Sequence, residues 1–106
     1  MNLFATFRGR RRLTKVLSTL GDSSADVAIS LLMHGYRARA DAWQQPECPI
    51  ETYLEQNGFD FAFTGQEYAL VITGDKRIYA RLPDAVADFI ADYYADKYPE
   101  LKEPRP

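Results

Sequence analysis

At Asn57-Gly58 the hydrophobic period of the chain changes from 3.6 residues to 2, and at Pro83-Asp84 it changes back. Apolar residues recurring every three to four positions build helices, whereas strict alternation builds strands with one buried face. The block between the two switches reads as three strands. Phe59, Phe61 and Phe63 alternate with Asp60 and Ala62, which predicts a half-buried strand with its phenylalanines in the core. Tyr68–Thr73 is more continuously apolar and is expected at the centre of the sheet. Gly74-Asp75 fits a two-residue hairpin turn, with glycine supplying the positive φ. In the third strand Ile78, Ala80 and Leu82 face one side, and Arg77, Tyr79 and Arg81 face the other. Pro83-Asp84 then opens a final helix, proline suiting its first turn and aspartate the positive end of its dipole. Val86, Phe89, Ile90, Tyr93 and Lys97 share one face of that helix, which is expected to lie on the strands.

Ahead of the first switch, Leu13, Val16, Leu17 and Leu20 follow i, i+3, i+4, i+7 and predict an amphipathic helix over about residues 11–20, ended by Gly21. Leu3, Phe4 and Phe7 would extend its face, but Gly9 counts against that. Asp22-Ser23-Ser24 offers N-cap side chains for a second helix. Its apolar positions Ala25, Ile29, Leu32, Tyr36, Ala40 and Trp43 keep near-helical spacing through Gly35. A competing reading stops this helix at Gly35 and makes residues 36–42 a strand, because Tyr36-Arg37-Ala38-Arg39-Ala40 alternates. Alanine's preference for helix favours the first. Pro49 opens a third, short helix with Ile50, Tyr53 and Leu54 on one face, closed by Asn57-Gly58. The class is therefore α+β: N-terminal helices, a three-stranded antiparallel β-meander, and a C-terminal amphipathic acidic helix packed on the sheet.

Residues 1–98 read as a single domain with a basic N-terminal segment, and residues 99–106, with three prolines, as an extended, poorly ordered tail. A chain of 106 residues that is 46% hydrophobic can close one core without disulfides or metal. Cys48 is the only cysteine, so no internal disulfide forms, and a reduced cytoplasm is the expected compartment. The N-terminal apolar residues precede the arginines, the reverse of a secretory signal. The longest apolar run, Tyr68-Ala69-Leu70-Val71-Ile72, is far short of the roughly 18–20 residues that span a bilayer.

The formal net charge of −2 conceals an asymmetry. Residues 1–40 carry seven cations against two carboxylates, and residues 41–106 carry six against thirteen, so a front of +5 joins a back of −7. Within the back, Asp84, Asp88, Asp92 and Asp96 recur every four residues on the polar side of the last helix. Like charges at that spacing repel by a few tenths of a kcal/mol per pair. The ladder is either a solvated face or a docking stripe for a basic protein partner, its carboxylates spaced about 6 Å apart along the helix. Within the front, Arg8, Arg10, Arg11, Arg12 and Lys15 form a cluster suited to phosphate or other anions. The cluster, a helix, Gly21-Asp22-Ser23-Ser24 and a second helix are similar in outline to a helix-turn-helix. That second helix opens Ser24-Ala25-Asp26-Val27-Ala28, however, with no Arg, Asn or Gln to read base edges. Pairing of the basic segment with the ladder, within the chain or across a homodimer, is a further structural option.

Residues for catalysis are few. His34 is the only histidine, and a general base needs a nucleophile beside it. Cys48 sits at a helix entrance, where a dipole lowers a thiol pKa but neighbouring carboxylates raise it. One His and one Cys do not make a four-ligand zinc set, isolated glycines do not make a phosphate loop, and no cofactor is implied. Phe59, Phe61 and Phe63 on one strand face would also make a base-stacking platform, but one needing basic neighbours, where the sequence places Asp60 and Glu67. Tyr79, between Arg77 and Arg81, is the better exposed contact. The expectation is a non-catalytic protein–protein interaction module, an adaptor, regulator or inhibitor. It would bind a basic partner through Asp84, Asp88, Asp92 and Asp96 together with Arg77, Tyr79 and Arg81. The alternative is a nucleic-acid-associated protein working through its N-terminal arginines.

Overall fold

The computed structural model describes residues 3–35 and 48–101. Among them the order is α1 (Leu3–Ser18), α2 (Ser24–Met33), α3 (Pro49–Gln56), β1 (Phe61–Thr64), β2 (Tyr68–Thr73), β3 (Lys76–Arg81), α4 (Asp84–Tyr94) and a 3-10 turn, Pro99–Leu101. The sheet is an antiparallel meander in the order β1-β2-β3. The fold class is α+β, with helices before and after the sheet. Gly74, at φ +61, and Asp75 make the hairpin turn, because Thr73 pairs with Lys76.

The inner face of the sheet is built from Ala62, Thr64, Ala69, Val71, Ile78 and Ala80, all buried. Most are small, so helices can approach the backbone closely. α1 does so against β3, and Gly9, instead of breaking the helix, is what permits it. A Cβ at that position would collide with Ile78 Cδ1. The helix runs through Gly9 and begins at Leu3, not near residue 11. Leu13, Leu17 and Leu20 are buried as their spacing requires.

α2 is capped by Ser23, whose Oγ accepts the Asp26 N–H at 3.1 Å. It ends at Met33, with Gly35 at φ +75, so the helix does not run on through Gly35. Residues 36–47, over which helix and strand competed, lie outside the described residues. The buried stripe of α2 is Val27, Ala28 and Leu31, not Ala25, Ile29 and Leu32, which are exposed. A helix apolar on nearly every side does not announce which side is inward; the approach of α4 decides it.

α4 buries Val86, Phe89, Ile90 and Tyr93. These join the core of the sheet, while the helix packs most closely along α2. Pro83 is the N-cap residue of α4, one position earlier than its expected place in the first turn. The chain stays seated past residue 98: Leu101 is fully buried, and Tyr98 stacks on Phe89 at 5.4 Å between centroids. Residues 102–106 lie outside the described residues. No helix among the described residues is long and apolar enough to cross a membrane.

The Gly9–Ile78 contact yields a reciprocal prediction. Gly9→Ala should destabilise the fold by about 1–2 kcal/mol through overpacking, despite a helix-propensity gain of about 1 kcal/mol. In an Ile78→Val chain, which lacks the colliding Cδ1, the same substitution should become neutral or stabilising. Urea denaturation of the four chains checks this.

Candidate functional site

β1 reverses the expected polarity of its phenylalanines. Phe59 is buried, but it precedes the strand. Its N–H donates to the Leu54 carbonyl at 3.3 Å, and its ring lies under the Arg12 guanidinium, 4.8 Å from the centroid. The backbone bends at Asp60, and from there the parity belongs to the sheet. Ala62 and Thr64 turn inward, whereas Phe61 and Phe63 are 47% and 55% exposed. The expectation that all three phenylalanines enter the core is therefore wrong for two of them. A bend between Phe59 and Phe61 breaks an alternation that reads as continuous in one dimension.

The pairing register gathers these rings with residues from the other strands. Phe63 lies opposite Leu70, which lies opposite Tyr79; Phe61 lies opposite Ile72, which lies opposite Arg77; Tyr68 lies opposite Arg81. All are on the outer face, since their neighbours along each strand are the buried inner residues. Tyr68 and Tyr79 are 55% and 53% exposed, and Leu70 and Ile72, shouldered by their neighbours, are half-buried. A shallow depression of about 680 Å³ opens on this face, with Phe63, Tyr68, Leu70 and Tyr79 at its sides and Gln66 and Glu67 at its end. Arg77, Tyr79 and Arg81 thus stand where the third strand's alternation places them, and Phe61, Phe63 and Tyr68 join them. Part of this grouping was available in advance. A two-residue turn at Gly74-Asp75 forces Tyr68, Leu70 and Ile72 onto the face of Arg77, Tyr79 and Arg81.

The N-terminal arginines divide. Arg10 Nε donates to the Tyr79 carbonyl at 3.1 Å, and Arg12 Nη2 donates to the Asn57 carbonyl at 2.9 Å. Both therefore hold α1 to the sheet and to the α3–β1 connection. Arg8, Arg11 and Lys15 are exposed on the same helix. The basic cluster is in part a clamp, and through Arg10 it reaches the outer edge of β3.

The acidic ladder is also divided. Asp84 and Asp88 are exposed on α4. Asp92 accepts Ser24 Oγ at 2.6 Å and Lys97 Nζ at 3.0 Å, and these partners, Ser24 first, hold its carboxyl below the usual range. Because Ser24 donates its one proton to Asp92, the Tyr98 hydroxyl at 2.8 Å must donate to Ser24. This network ties α2, α4 and the C-terminal turn together. Asp96 stands beyond the helix, at φ +61 after the C-cap Ala95. Four evenly spaced rungs in sequence become three on the helix, one of them engaged internally.

Cys48 is fully buried at the N-cap of α3, and burial pushes its thiol up to about 12, so it stays protonated at neutral pH. His34 is exposed at the C-cap of α2, its Nδ1 2.7 Å from the Ser30 carbonyl. Thr64 donates to the buried Glu51 at 3.3 Å beneath the sheet. Among the described residues no group of three or more His, Cys, Asp or Glu side chains is placed to hold a metal ion.

Two outcomes follow. Asp92→Asn should lower the melting temperature at pH 7, whereas Asp88→Asn should leave it unchanged or raise it by relieving repulsion. The Asp92 contribution, from a depressed pKa, should fade on acidification as pH falls through its folded value. The thiol has the opposite sign. Its pKa is raised on folding from 9.0 to about 12, so its contribution is full below pH 9 and is lost as pH rises above that. Stability should therefore decline from pH 9 upward by as much as about 1.4 kcal/mol per pH unit, and Cys48→Ala should flatten that slope in alkaline urea titrations.

No protein family matches the chain, and comparison with curated proteins and with solved structures returned no match.

Proposed function

We propose that this protein is a non-catalytic binding module whose working surface is the open face of its sheet, and that the partner it receives is anionic. The supporting observation is the shared face: Phe61, Phe63, Tyr68 and Tyr79 are exposed side by side with Arg77 and Arg81. Tyrosine and arginine are among the side chains that carry most binding energy at interfaces. A contiguous exposed apolar surface rimmed by polar residues is characteristic of a contact surface. The acidic helix is the weaker candidate for the working surface. A basic partner there would meet Asp84 and Asp88, while the Asp92 carboxylate is committed to Ser24 and Lys97. The N-terminal arginines alone are weaker as well, since Arg10 and Arg12 hold the fold together.

A photo-crosslinking amino acid, p-benzoylphenylalanine, placed in turn at Tyr79, Phe63 and Asp88, tests where the partner sits in cells that make the protein. Adducts are expected from positions 79 and 63 and not from 88. Adducts confined to 88 would return the function to the acidic helix, and the absence of adducts at 79 and 63 would overturn the proposal.

A further inference from the structure

We infer that the anionic partner of the sheet face is single-stranded nucleic acid, its bases stacking on Tyr79 and Phe63 and its phosphates held by Arg77 and Arg81. This rests on the sheet-face reading of function and adds the chemical class of the partner. Sequence-tolerant single-strand binders combine exposed aromatic rings with cations that follow the backbone. The rings are here, and the cations that β1 lacks nearby in sequence arrive through the register on β3.

The geometry has the right order. On β3, Tyr79 is bracketed by Arg77 and Arg81, each two residues away on the same face and so about 7 Å along the strand. A base stacked on Tyr79 would have a guanidinium available to the phosphate on either side. Phe63 lies two strands across, about 10 Å away, with half-buried Leu70 between. Phe61 follows Phe63 about 7 Å further along β1, roughly twice the 3.4 Å rise of a stacked base step, which suits bases splayed apart. The depression between Phe63, Tyr68, Leu70 and Tyr79 is open and shallow, so it admits a flat ring. Arg10, hydrogen-bonded to the Tyr79 carbonyl, fixes the backbone that carries the stacking ring.

Charge sets the direction of approach. The chain as a whole carries −2, and its exposed carboxylates include Asp84 and Asp88 on α4, in the helical layer. Arg77 and Arg81 on β3, with exposed Arg8, Arg11 and Lys15 on the neighbouring α1, attract the polyanion to this side, whereas α4 repels it through Asp84 and Asp88. Exposed carboxylates border the track: Glu67 ahead of β2, Asp60 ahead of β1 and Asp75 in the turn before Arg77, so the phosphates have only the stretch from Arg77 to Arg81 to follow. A duplex, whose base faces are hidden, has nothing to offer the rings, so single strands should be preferred.

The test uses fluorescence anisotropy of labelled oligo-dT and oligo-U dodecamers, a hairpin duplex of equal length and a poly-glutamate peptide of equal charge. Single strands should bind, and the duplex and peptide should bind more weakly. Tyr79→Ala and Phe63→Ala should each weaken single-strand binding about tenfold. Arg77→Gln and Arg81→Gln should each reduce the slope of log K against log salt by about 0.7. Asp88→Asn should not weaken binding. Unchanged melting temperatures establish that the exposed-ring variants fold, and ultraviolet crosslinking of the wild-type chain to oligo-U, mapped to Tyr79 or Phe63, gives the same answer without any variant. Equal affinity for the duplex, or indifference to loss of the rings, overturns the inference. So does preference for poly-glutamate, or a ring-dependent self-association that excludes the oligonucleotide. If the oligonucleotides fail while cellular crosslinks at position 79 reach a protein, the sheet face remains the working surface and only its nucleic-acid partner falls. If both fail, both readings fall.

Discussion

The close approach of α1 to β3 at Gly9 and Ile78 governs the rest of the molecule. A helix packed on a sheet needs either small residues or a gap, and here it has both. Gly9 has no Cβ, and half of the inner sheet face is alanine. That contact puts α1 along the inner side of β3 and lets Arg10 reach over to the Tyr79 carbonyl. It also commits one face of the sheet to the helices. Among the described residues the other face has no helix on it, so the residues that alternate outward remain accessible.

The helical layer is joined by its own network. Ser24, Asp92, Lys97 and Tyr98 connect α2 to α4 and to the C-terminal turn, and Leu101 closes the core beside them. A hydrogen bond to a charged group contributes more than a neutral one, and its partner is costly to lose. An aspartate that reads as one rung of a solvated ladder is therefore a fixed structural element. Because α1 packs on β3, the exposed cations of the two elements lie beside one another, while α4 exposes Asp84 and Asp88.

Much of the fold was legible because its signals are local. The stripe Leu13, Val16, Leu17, Leu20, the Ser23 cap, Pro49 at the start of α3, the turn at Gly74-Asp75 and the buried face of α4 each depend on a few neighbouring residues. The departures fall where a distant partner decides. Gly9 looks like a helix breaker until Ile78 is beside it. Ile29 and Leu32 look like a core stripe until α4 packs on the adjacent stripe of α2. Phe61 and Phe63 look buried because phenylalanine usually is, and because no rule of alternation reveals the bend at Asp60. Of the candidate site, Arg77, Tyr79 and Arg81 were legible from the third strand alone, and the phenylalanines beside them were not.

Hydrophobic period and turn chemistry by themselves determined the α+β class, the meander and its β2–β3 register, because side chains two or four apart must share a face and a two-residue turn permits one pairing. Only the tertiary structure decided which face of the sheet the helices would cover. Both faces carry apolar residues, and burial is settled by which set leaves room for α1: Gly9 of the helix over Ile78 on a face otherwise made mostly of small side chains, with the bulky aromatic rings turned outward beside Arg77 and Arg81.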